Sequence, residues 1–205
     1  INEFDVEYLM PTGSPLTTGT QQFSSFVGDF IDVNTGETLF GGSDVFSSNG
    51  SGAAEFLSGD SFSVSGGATL FGGNDRFENV NAVTVVGDVG NENSNSSIAN
   101  TGVVNGGDDV FSFIRPSGSN VSSVFDRLVG DVDYNAFGGI VNGGNDTFIM
   151  RGFNHANVIH GDVTVSFGIL NGGDDFISIG DADFGSDAQP NSINLNRVYG
   201  DFSSI

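Results

Sequence analysis

The sequence predicts an all-β protein of the parallel solenoid class, a right-handed β-roll or β-helix, with a β-sandwich as the alternative fold. Two observations carry the prediction: Gly/Asp motifs recur along nearly the whole chain, and the apolar residues between them follow a period of two. The chain has 205 residues, no Cys and a formal charge of −21. Twenty Phe residues distributed along it argue against disorder.

The first motif reads Gly-Gly-x-Asp and occurs five times. Its acids are Asp44, Asp75, Asp109, Asp146 and Asp175. Two residues after the Asp stands Phe in four copies and Ile in the fifth, and two residues before the first Gly stands Leu or Val. We therefore expect each copy to be a bend with apolar side chains entering a core on both sides.

The second motif is Gly-Asp after a hydrophobic approach, and it alternates strictly with the first. Its acids are Asp29, Asp60, Asp88, Asp131, Asp162 and Asp201. The longer intervals contain polar, breaker-rich stretches at 91–100, 115–123 and 181–194, which we interpret as inserted loops.

Between the bends lie short β-branched or aromatic runs, such as 61–64 and 163–167, bounded by Gly, Asn or Asp. A solenoid explains the alternation of bends because equivalent positions stack on one another, whereas a sandwich gives no reason for it. The pattern leaves open whether one coil is a single short step or a pair of steps of about 31 residues. Residues 26–205 form the predicted repeat domain, and residues 1–25, which lack the motif, a cap or linker.

Stacked acidic bends predict a bound cation. Two carboxylates about 5 Å apart repel by about 3 kcal/mol even at an effective dielectric constant of about 20. Calcium accepts six to eight oxygen ligands from carboxylates and carbonyls, and glycine at positive φ would let carbonyls turn toward it. The expected ligands are the eleven Asp residues above with their Gly-Gly-x neighbours Asn74, Asp108, Asn145 and Asp174. The alternative is that the acids only form Asx-turns.

Gly-Asn-Asp-Arg-Phe at 73–77 and Gly-Asn-Asp-Thr-Phe at 144–148 resemble half of the repeats-in-toxin (RTX, hemolysin-type) calcium-binding repeat. The resemblance implies a calcium-bound parallel β-roll, export by a type I system and unfolding without calcium. It is partial, because the family's repeats follow one another more closely than those found here.

No residue constellation indicates an enzyme. We expect a secreted bacterial structural or adhesive module, part of a surface layer, filament or adhesin, with calcium ions and further copies at the solenoid ends as partners. The alternative is a carbohydrate-binding or polysaccharide-modifying solenoid with its groove in the three inserted loops. The charge excludes nucleic acid as a partner, and the chain has no apolar run of about 18 residues for membrane insertion.

Overall fold

The computed structural model describes residues 7–10, 25–48, 54–80, 82–90, 102–114, 123–135, 138–151, 154–180 and 194–200. These residues form 21 short strands, and every pairing between the named strands is parallel. The β-solenoid prediction is confirmed, and the sandwich alternative is wrong, because it requires antiparallel neighbours. The described ranges contain no helix that is long and apolar enough to cross a membrane.

Four stacks of strands run along the solenoid, numbered in the order in which the chain visits them. Sheet I contains β2 (Ser25–Val27), β6 (Ala54–Ser58), β10 (Ala82–Val86), β13 (Ser123–Val129), β17 (Asn154–His160) and β21 (Asn194–Tyr199). Sheet II contains β3 (Phe30–Val33), β7 (Ser61–Val64), β14 (Val132–Asn135) and β18 (Val163–Ser166), with Val89 bridging β7 and β14.

The other two stacks follow after a turn. Sheet III contains β4 (Thr38–Phe40), β8 (Thr69–Phe71), β11 (Val103–Asn105), β15 (Ile140–Asn142) and β19 (Ile169–Asn171). Sheet IV contains β1 (Glu7–Met10), β5 (Val45–Ser48), β9 (Arg76–Glu78), β12 (Val110–Ile114), β16 (Thr147–Arg151) and β20 (Phe176–Gly180).

The register of these sheets settles the length of a coil. Leu39 pairs with Leu70, Leu70 with Val104, and Val104 with Val141, so each Gly-Gly-x-Asp bend lies on the next bend of the same kind. Successive acids of this motif are 31, 34, 37 and 29 residues apart. One coil is therefore the pair of steps: sheet I, the Gly-Asp bend, sheet II, a turn, sheet III, the Gly-Gly-x-Asp bend and sheet IV.

The interior contains two main apolar cores. One lies between sheets I and IV and is built around the Phe ladder: Phe46, Phe77, Phe111 and Phe148. The ring centroids of neighbouring rungs are 4.9, 5.0 and 4.5 Å apart, close to the spacing of strands within a sheet. The other core lies between sheets II and III and contains mainly aliphatic side chains. The predicted apolar ladders on both sides of the bends are confirmed.

Of the predicted cap or linker at 1–25, the described part is Ser25 and strand β1, which pairs with β5 as a further strand of sheet IV. The rest of that segment lies outside the described residues. So do the insertions at 91–100, 115–122 and 181–193 and the acid Asp201.

Candidate metal centre

The two kinds of bend meet between the two cores and divide the interior. In each coil the carboxylate of the Gly-Asp bend accepts a hydrogen bond from the second Gly of the Gly-Gly-x-Asp bend. The Gly73 N–H to Asp60 Oδ2 distance, for example, is 2.9 Å. We call this region, with its ten inward-facing acids, the acidic waist: Asp29, Asp60, Asp88, Asp131, Asp162, Asp44, Asp75, Asp109, Asp146 and Asp175.

Adjacent coils are also joined through these acids. In the four copies after the first, Oδ1 of the Gly-Gly-x-Asp carboxylate accepts the backbone N–H of the equivalent Asp in the preceding coil. The N–O distance is 2.7 Å from Asp44 to Asp75 and 2.8 Å from Asp109 to Asp146. One oxygen of each carboxylate is thus used to hold the stack together.

The second oxygen has no such role in the central coils. Oδ2 of Asp75, Asp109 and Asp146 is buried and receives no hydrogen bond. All three side chains are at most 1% exposed, so bulk water does not reach them. A buried carboxylate oxygen without a donor is costly, because burial removes its hydration without replacing it.

The acids raise one another's pKa. Burial is the largest cause of the raised pKa of Asp75, Asp109 and Asp146, and repulsion from neighbouring waist carboxylates adds to it. Burial also raises the pKa of Asp60, Asp88 and Asp131 well above the usual value.

The carboxyl groups of successive Gly-Asp bends contact one another directly, as between Asp60 and Asp88 or between Asp88 and Asp131. Such a contact is stable only with a proton or a cation between the groups. The waist therefore requires one or the other.

The bend glycines are needed for close approach, and the expectation that they would have positive φ is wrong. Among the described glycines, positive φ occurs at Gly36, Gly67 and Gly138, and none of these lies in a bend of the waist. A Cβ on Gly73 would lie 1.3 Å from the carbonyl oxygen of Gly42, and one on Gly107 would lie 1.4 Å from that of Gly73. Coils can stack at this spacing only if these positions have no side chain.

The glycine of a Gly-Asp bend lies beside two kinds of oxygen in every coil but the last. The point at which a Gly59 Cβ would lie is 1.7 Å from Asp75 Oδ2 and 1.9 Å from the carbonyl oxygen of Gly87. The same point at Gly87 is 1.7 Å from Asp109 Oδ2 and 1.8 Å from the Gly130 carbonyl. Carboxylate and carbonyl oxygens are the ligand types that calcium uses.

The residues at the x position of Gly-Gly-x-Asp lie elsewhere. Asn74, Asp108, Asn145 and Asp174 are exposed on the outside of the bend. They form their own ladder: Asn74 Oδ1 accepts the N–H of Asp108 at 2.9 Å, and Asp108 Oδ1 accepts that of Asn145 at 2.7 Å. The structure therefore separates these four predicted ligands from the waist and joins them in a hydrogen-bond ladder between neighbouring coils.

Within the described ranges no three His, Cys, Asp or Glu side chains converge on one point. A cation in the waist would therefore need backbone carbonyl oxygens or water to complete its shell. The chemistry of the site is that of an oxygen-only, strongly negative and largely buried column.

A second buried polar group, which no sequence motif indicates, joins sheet I to sheet II. Arg127 donates from Nη1 to Asp133 Oδ1 at 2.7 Å, and the Asp133 side chain is fully buried. His160 lies nearby with its ring stacked on Tyr199. Burial, followed by the Arg127 charge, lowers the pKa of His160 to about 4. Arg127 and Asp133 flank the Gly130-Asp131 bend of one coil, and the register of the sheet pairs His160 of the next coil with Val129.

Comparison with known proteins gives no relative: no family model, curated protein or solved structure matches the chain.

Proposed function

We propose that this chain is a calcium-binding structural module of an extracellular protein, in which cations in the acidic waist neutralise the stacked carboxylates and stabilise the coils. The observation that supports this most directly is the set of buried, donor-free Oδ2 atoms of Asp75, Asp109 and Asp146. Each adjoins a glycine beside which a carbonyl oxygen of the next coil also lies.

Calcium fits this set better than other common metals. The waist contains no Cys, and its ligand atoms are oxygens, which favours hard cations over zinc or copper. Magnesium requires near-ideal octahedral geometry and gives up its water reluctantly, whereas calcium tolerates irregular shells that include carbonyls. A net charge of −21 also concentrates divalent cations around the molecule.

The role we propose for the module is structural or adhesive, as part of a bacterial surface layer, filament or adhesin. The repeat occupies most of the chain, and the acids recur in register along the solenoid without a distinct catalytic cluster. Calcium is abundant outside cells, so a fold completed by calcium suits a secreted protein. Membership of the RTX family and type I export remain part of this proposal and rest on the 73–77 and 144–148 motifs.

The test uses two adjacent acids that the structure places on opposite sides of the backbone. Asp109 lies in the waist and Asp108 lies on the exposed ladder, so Asp109→Asn and Asp108→Asn remove the same charge from neighbouring positions. We expect calorimetric titration of chelator-treated protein at pH 7.5 to show calcium binding. Asp109→Asn should weaken the affinity at its site by at least about tenfold, because it removes a carboxylate ligand. Asp108→Asn should change it less than about twofold, because its side chain faces solvent, which screens its charge.

Two outcomes would contradict the proposal. Wild-type protein that takes up no calcium at millimolar concentration has no such site. Equal weakening by both variants would show that calcium responds to the overall charge and is not bound in the waist.

A further inference from the structure

The outer face of sheet III has no charge in a highly charged molecule. None of its five strands, β4, β8, β11, β15 and β19, contains an Asp, Glu, Lys or Arg. Strands of the other three sheets carry such residues, for example Arg127 in sheet I, Asp133 in sheet II and Glu78 in sheet IV. An uncharged face on a chain of charge −21 indicates a surface made for a neutral partner.

Two rows of side chains form this face, which we call the sheet III face. The first row is Thr38, Thr69, Val103, Ile140 and Ile169, and the second is Phe40, Phe71, Asn105, Asn142 and Asn171. Phe40 and Phe71 stack at 4.9 Å and remain 43% and 39% exposed, and Ile169 is 55% exposed. The face is thus flat, partly apolar and open to solvent along its length.

The asparagines of the second row form an amide ladder. Asn142 donates from Nδ2 to Asn105 Oδ1 at 2.8 Å, and Asn171 donates to Asn142 Oδ1 at 2.7 Å. A primary amide has two N–H donors and two acceptor lone pairs, so Asn142 keeps one of each after making these bonds. A hydroxyl group can both donate and accept and so satisfies this pattern.

The face is small for a stable protein dimer, and its dimensions suit a single linear chain. Five strands spaced by about 4.8 Å make a strip about 20 Å long, and three residues per strand make it about 10 Å wide. Its flat area is on the order of a quarter of the ~800 Å² that each partner of a standard protein interface buries. A ribbon-like polymer lying along the solenoid axis would cover it.

We propose that the sheet III face binds a neutral, linear, β-linked polysaccharide. Such a chain has apolar C–H faces for Phe71, Val103 and Ile140 and hydroxyl groups for the amides of Asn105 and Asn142. Polyanionic polysaccharides are repelled by the net charge. The inference rests on the adhesive role proposed above and supplies its target, but it does not depend on which cation occupies the waist.

Binding is tested by co-sedimentation with insoluble cellulose and by affinity electrophoresis in hydroxyethylcellulose or alginate, both with calcium present. Wild-type protein should bind the neutral polymers and ignore alginate. Asn142→Asp places a charge in the amide ladder and should weaken binding at least about tenfold. The matched control Thr147→Asp places the same charge in β16 of sheet IV and should change binding less than about twofold.

Circular dichroism verifies that each variant folds. If Asn142→Asp misfolds, Phe71→Thr is the second variant, because it removes an exposed ring and introduces a residue that favours β-strands. Phe71→Thr should also weaken binding. Folded wild-type protein that binds neither neutral polymer overturns the inference, as does equal binding by wild type and both face variants. Concentration-dependent dimers that Asn142→Asp dissolves would assign the face to a second copy and also overturn it.

The two proposals fail separately. Protein that binds calcium but no neutral polysaccharide refutes the inference about the sheet III face but agrees with the proposed calcium site. Protein that binds cellulose equally well after chelation and takes up no calcium refutes the proposed calcium site but supports polysaccharide binding by the sheet III face.

Discussion

At the scale of single residues, glycine is required in this chain for two different reasons, a positive φ in some turns and the close approach of coils at the bends. Gly36, Gly67 and Gly138 lie between sheets II and III at φ values of 81°, 78° and 80°, where a side chain is strained. The bend glycines have no positive φ, and their hydrogen atoms face carbonyl and carboxylate oxygens of neighbouring coils. The two motifs identify the bend glycines in the sequence, but the motifs do not show whether those glycines are needed for positive φ or for close approach.

Gly67→Ala and Gly73→Ala distinguish the two requirements. The Cβ of Gly67→Ala meets only Thr35 Cγ2 at 3.9 Å, so its cost is about 1 kcal/mol from the backbone conformation. The Cβ of Gly73→Ala would lie 1.3 Å from a backbone oxygen that cannot move without separating two coils. We expect it to cost more than about 4 kcal/mol, at the extreme of single substitutions. Urea denaturation in saturating calcium measures both, and similar midpoints would disprove the close-approach explanation.

The positions of the acids could be predicted from the motif, but their directions could not. Asp108 and Asp109 are adjacent and chemically identical, and one faces solvent while the other is buried. The extended backbone turns successive side chains to opposite sides, and only the position of the bend between two cores decides which side is inside. Asp75, Asp109, Asp146 and Asp175 were therefore predicted together with x-position neighbours that do not reach the waist.

At the scale of the strand, the Phe ladder of sheet IV is the central packing element. Phe111 is fully buried between Phe77 and Phe148, with ring centroids at 5.0 and 4.5 Å. Each rung depends on its neighbours, because a parallel stack gives the ring two aromatic faces to contact. Loss of a middle ring therefore affects three coils.

Phe111→Ala should lower the free energy of unfolding by about 3–5 kcal/mol, as expected for a large cavity in a packed core. Phe71→Ala, which removes a ring from the exposed side of β8, should cost less than about 1 kcal/mol. The two variants lose the same atoms, so the difference between their urea midpoints reports burial alone. Equal shifts would place the apolar core elsewhere than between sheets I and IV.

The existence of the strands followed from alternating apolar residues, and their parallel direction followed from the repetition of the bends. The coil length did not, because two similar bends per coil permit two stackings. What decides between them is a contact between residues 29 to 37 positions apart, formed by carboxylates that accept N–H groups of the same motif in the preceding coil. Such long-range pairing leaves no local signal.

At the scale of the whole molecule, stability depends on a balance between packing and the charge of the waist. Ten acids face inward along one column, and backbone N–H groups donate hydrogen bonds to the six most central of them: Asp60, Asp75, Asp88, Asp109, Asp131 and Asp146. The two apolar cores on either side hold the column together. Protons and cations therefore compete for one role, and pH and calcium should act as alternatives.

This competition predicts an unusual pH profile for protein kept in chelator. Burial raises the pKa of Asp60, Asp75, Asp88, Asp109, Asp131 and Asp146 above their unfolded value of about 3.9. The folded state therefore holds more protons than the unfolded state once the pH exceeds about 4, and stability falls as pH rises. His160 acts in the opposite direction, since its folded pKa of about 4 lies below its unfolded value, but it is one group against six.

Thermal unfolding followed by circular dichroism at pH 4 and pH 7.5, each with chelator or with millimolar calcium, measures this balance. Without calcium the melting temperature should be higher at pH 4 than at pH 7.5, the reverse of ordinary acid denaturation. Calcium should raise it strongly at pH 7.5 and little at pH 4, where protons already neutralise the waist. A sample with sodium chloride at the same ionic strength as the calcium sample controls for the screening of charges by salt. Equal melting temperatures at both pH values in chelator would mean that the acids are not desolvated, and an equal calcium effect at both would place the ion outside the waist.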